Sequence, residues 1–64
     1  MTLNKHPNLA GHDDLYAKLV ALHEGLSDEE SRRVDARLIL LLLNHIGDSR
    51  VIAEAFAAAR APGV

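Results

Sequence analysis

The chain has 64 residues, no cysteine, 25% charged residues and a formal net charge of −2. That length allows one domain, and alone such a domain buries only about 60% of its unfolded surface. Without cysteine, disulfides and zinc–thiolate sites are excluded as added support, which leaves association with another chain.

The balanced charge, with one Phe, one Tyr and no Trp, argues against nucleic acid, whose binders rely on basic patches and stacking aromatics. Met1 to Lys5 shows no basic segment leading into an apolar stretch, so no secretory signal is expected. The longest apolar run, Leu38 to Leu43, has six residues, far short of the roughly 18 of a membrane span. A cytoplasmic location and no membrane partner are the expectation.

Residues 1–12 are aperiodic, with Pro7 and Gly11, and read as an irregular arm that Leu3 and Leu9 can fasten to the body. The first helix is predicted over about 13–24. Asp13 or Asp14 suits its N-cap and first turn, where free amides and the helix dipole favour negative charge. Leu15, Leu19, Leu22 and Leu26 recur at four, three and four, as one apolar stripe does. Gly25 supplies a left-handed helix end.

Ser27-Asp28-Glu29-Glu30 has the spacing of a capping box, in which serine and glutamate satisfy each other's backbone amides. It opens a helix over about 28–46, ended by Gly47. The first half is charged, with Asp28–Arg32 and Glu29–Arg33 in the favourable acid-first order. The second half is Leu38-Ile39-Leu40-Leu41-Leu42-Leu43, which at about 100° per residue points apolar side chains in every direction. A third helix over about 49–60 is capped by Asp48 or Ser49 and shows an apolar face of Val51, Ile52, Ala55, Phe56 and Ala59. Residues 61–64 form a tail.

Two short neighbours cover about two-thirds of a helix circumference, and each uncovered large apolar side chain forgoes about 1.5–3 kcal/mol. Either the arm from Leu3 to Leu9 folds back over the gap, or a second chain covers it. The second is the expectation, through Leu38, Ile39, Leu41, Leu42, His45 and Phe56. Asn44-His45 invites two readings: a histidine set against the helix dipole, or a polar contact that fixes register at the interface.

Catalytic, cofactor and metal residues are not expected. His6, His12, His23 and His45 lack the three- or four-residue spacing of helical metal ligands. His23 and Glu24 are adjacent and so do not face each other on a helix. The helix–Gly47–helix junction has the outline of a helix-turn-helix, but its second helix offers only Arg50, Glu54 and Arg60 among alanines where DNA recognition needs basic and amide side chains.

Leu15-Tyr16, the run His23 to Ser31 (HEGLSDEES), Ala36 to Asp48 (ARLILLLLNHIGD) and Ala53 to Arg60 (AEAFAAAR) resemble a family of short bacterial proteins known only as a domain of unknown function. The resemblance covers nearly the whole chain and is most specific at EGLSDEES and NHIGD. Genes of that family often stand beside those of flavin-dependent aromatic-ring hydroxylases and other aromatic catabolism enzymes. The resemblance therefore implies a hydroxylase subunit as one possible partner, and it brings no catalytic residues.

The expected protein is all-α: a three-helix antiparallel bundle, or a helical hairpin plus a C-terminal helix, completed by a second chain. The expected function is a noncatalytic interaction module, as a homodimer or an accessory subunit. The alternatives are a small subunit of a flavin-dependent aromatic hydroxylase or related catabolic enzyme and, less favoured, a small DNA-binding regulator.

Overall fold

The computed structural model describes residues 2–62. They form three helices, α1 (His12–Leu22), α2 (Asp28–Ile46) and α3 (Ser49–Arg60), with no strand among the described residues. The fold is all-α, as the helical periodicity predicts.

α1 begins one residue before its expected start, with neither aspartate as the cap. Gly11 holds that place with φ 67° and no side-chain hydrogen bond, and its carbonyl accepts from the Leu15 amide at 3.2 Å. Asp13 and Asp14 instead occupy the first turn, where the helix dipole still favours them. The helix also ends at Leu22 rather than Glu24. The amides of His23 and Glu24 reach back only three residues, to Val20 and Ala21, a tightened last turn. Gly25 follows in the left-handed region at φ 76°.

The capping box at α2 is formed in full. The Glu30 amide donates to Ser27 Oγ at 3.1 Å, and the Ser27 amide donates to Glu30 Oε1 at 3.0 Å. The Ser27 amide first, and then the Ser27 hydroxyl, hold the Glu30 carboxyl below its ordinary pKa. Gly47, at φ 66°, closes the helix by donating its amide to the Leu43 carbonyl at 2.9 Å. One residue on, Asp48 caps α3 by accepting from the amides of Arg50 and Val51 at 3.0 and 3.3 Å.

Packing between the helices is sparse. No two of them lie along one another, and among the described residues Val51, at 6% exposure, is the only buried one. Leu26, Val34, Leu38, Leu43, Ile52 and Ala55 are half-buried. The radius of gyration is 13.4 Å, against about 11 Å for a compact chain of this length. Accessible surface is 5861 Å², where a compact monomer of this mass exposes roughly 4,000 Å².

The arm goes to α3 and leaves the apolar half of α2 open. The Leu3 amide donates to Glu54 Oε2 at 3.1 Å, and Leu3 is half-buried while Leu9 is exposed. One of the two leucines expected to fasten the arm therefore does so. The alternative in which the arm covers the gap on α2 is overturned.

Candidate functional site

The outward face of α2 is built by its own periodicity. Residues 37, 40, 41 and 44 follow one another at three, one and three, so they share one side of the helix. Arg37, Leu40, Leu41 and Asn44 line one shallow, open depression. Leu40 and Leu41 are 65% and 69% exposed, more than any other side chain of the apolar run. Among the described residues Arg37 has no ion-pair partner.

The residues expected at the interface divide into three groups. Leu41 stands at the centre of the open face, with Ile39 and Leu42 half exposed to its sides. Leu38 is half-buried, as is Val34 one turn before it. His45 and Phe56 are exposed, but neither lines the depression. Phe56 also leaves the α3 face assigned to it, because packing on that helix centres on Val51 and takes in Ile52, Ala55 and Ala58 instead.

Leu40, not named among the expected interface residues, stands one step of about 100° from Leu41, so the two lie side by side on the open face. The α1 stripe is also open: Leu15, Leu19 and Leu22 are each close to half exposed. Leu15 and Leu19, with Leu9 and Tyr16, line a second apolar depression. That result has no signature in α1 alone, since it depends on how far the helices splay.

A polar link also escaped the local reading. His23 has no relation to Glu24; its Nε2 stands 2.5 Å from Asp35 Oδ1 and its Nδ1 stands 2.8 Å from the Leu19 carbonyl. Both partners are acceptors, so both ring nitrogens must carry hydrogen for both bonds to form. The Asp35 hydrogen bond first, then the Leu19 carbonyl, push the His23 pKa above its ordinary value. The link ties the end of α1 to the second turn of α2, across twelve residues of sequence.

Among the described residues no group of three or more His, Asp or Glu side chains is placed to hold a metal ion. No helix described is long and apolar enough to cross a membrane. No curated protein and no solved structure matches the chain. A family model does match, over residues 3–61, and its description is "Protein of unknown function (DUF2783)". That match spans nearly all of the sequence, including the capping box, the apolar run and the Gly47 junction, and the chain belongs to the DUF2783 family.

Proposed function

We propose that this chain is a noncatalytic interaction protein that binds another polypeptide through the outward face of the apolar half of α2. The observation that carries this reading is the adjacent pair Leu40 and Leu41, two large apolar side chains about two-thirds exposed on a helix that is well capped at both ends. Scattered exposed leucines are ordinary, but a contiguous apolar face with a polar rim is the mark of an interaction site. His23 is bonded at both ring nitrogens, to the Leu19 carbonyl and to Asp35, which gives it a structural use in linking α1 to α2.

A photoreactive benzophenone side chain in place of Leu40 tests the reading in the native host. Irradiation is expected to give a covalent adduct with a polypeptide, and the same group in place of Glu24, on an exposed turn, is expected to give none. An adduct with a larger enzyme supports binding in the form of an accessory subunit. Equal or absent adducts at the two positions overturn the proposal.

A further inference from the structure

We infer that the occupant of this face is a second copy of the chain, docked antiparallel along α2 about a two-fold axis between Leu40 and Leu41; this rests on the interaction reading just given. Three independent features of the molecule point to it.

The first is area. The chain exposes 5861 Å², roughly 1,800 Å² more than a compact monomer of its mass. That excess is spread over all three helices and the arm, and the α2 face holds the two most exposed leucines of the apolar run, Leu40 and Leu41. A chain with Val51 as the one buried residue described has little core of its own. A second copy supplies the same apolar surfaces again, at a one-to-one ratio.

The second is self-complementarity. A two-fold interface requires a patch that matches itself when reversed. The patch reads Arg37, Leu40, Leu41, Asn44. Reversal about its midpoint exchanges Leu40 with Leu41 and Arg37 with Asn44. Leucines then meet leucines, and each Arg37 guanidinium comes opposite the partner's Asn44 carboxamide, whose oxygen accepts from it. Parallel docking fails this test, because it sets Arg37 beside the other Arg37.

The third is the two-part character of α2. About this axis, residues 35 to 46 of one helix overlap the same residues of the other, which confines the contact to the apolar half. The acidic first turn, Asp28 to Glu30, then lies beyond the end of the partner's α2. A parallel pair would bring the two acidic turns together, and like charges so placed disfavour it.

Light scattering on the purified full chain, from about 1 to 100 µM, is expected to give twice the 7.0 kDa of one chain at the upper end. A purely monomeric chain across that range overturns the inference. If the Leu40 adduct in cells is then a different polypeptide, the interaction reading survives without the homodimer; if there is no adduct, both fall. Orientation is tested by exchange of the rim residues, which are exposed. Asn44→Arg sets arginine against arginine and is expected to weaken the dimer about tenfold. The double variant Arg37→Asn/Asn44→Arg restores the pairing with the roles reversed and is expected to return to within about threefold of the parent. Failure of the second change to rescue the first overturns the antiparallel register.

Discussion

The two halves of α2 meet their chemical needs over different distances. In the first half, Ser27 and Glu30 satisfy each other's amides three residues apart, and Arg33 donates to Glu29 at 2.8 Å one turn away. Asp35 takes up His23 from the preceding helix. In the second half, Leu40 and Leu41 find nothing in the chain to cover them. A hydrogen-bonding group is satisfied by one or two well-placed atoms, which a neighbouring turn can supply. An apolar side chain is satisfied only by area, and helices of 11 and 12 residues that pack sparsely on α2 do not offer enough of it.

The comparison predicts unequal responses to one substitution in two states of the protein. Leu41→Asp removes little internal contact, since Leu41 is 69% exposed, and in an isolated chain it is expected to cost only about 0.5 kcal/mol of helix propensity. In a dimer it buries two carboxylates against leucine, which is expected to weaken association at least a hundredfold. Analytical ultracentrifugation of the variant beside the parent decides this, and unchanged association would show that the face is not used. Val51→Ala comes next. Val51 is the buried anchor of the α2–α3 junction, and its loss is expected to cost about 2 kcal/mol of unfolding free energy in urea titrations. A near-zero cost would mean that the junction is held by Gly47 and Asp48 alone.

The same difference in range explains what was legible in the sequence. α2 was readable to the residue because its signals, the Ser27–Glu30 box and Gly47, act within one turn. α1 was readable in kind but shifted at both ends. Gly11 took over the cap by backbone conformation, leaving the two aspartates inside the helix, and the last turn tightened before Gly25. The apolar run announced that Leu38 to Leu43 need cover on all sides. Which of the six stay most open depends on where the other helices lie, so the greater exposure of Leu40 and Leu41 over Leu38 is not written in the run itself. The His23–Asp35 pair was illegible for the same reason: twelve residues separate the partners and only the angle between α1 and α2 brings them together.

A smaller effect probes the self-sufficient half. Ser27→Ala removes the hydroxyl that accepts from the Glu30 amide, and is expected to cost about 1 kcal/mol of stability. Association through the other half should be retained once concentration offsets that loss. Helicity by circular dichroism and mass by light scattering, read on the same samples, separate the two. If the variant stays fully folded yet loses its dimer, the halves are coupled rather than independent.

The smallest effect expected is the pH response of the link between α1 and α2, whose side chains are 27% and 52% exposed. Folding raises the His23 pKa above its ordinary 6.5 through the Asp35 hydrogen bond and the Leu19 carbonyl. Stability gained from a raised pKa is fully present below the unfolded value and is lost as pH rises through the folded one. Only above that raised value does the folded imidazolium give up one of its two N–H donors, and either Asp35 or the Leu19 carbonyl then loses its partner. Thermal melts from about pH 5.5 to 8.5 should show the midpoint falling as pH rises through the raised His23 pKa. In Asp35→Asn the carboxylate that contributes most to the shift is gone, so the fall should be shallower, and the difference between the two chains isolates this pair from every other titrating group. Parallel curves would mean that His23 stays neutral in the folded protein and that α1 is held to α2 by packing around Leu26 and Val34 alone.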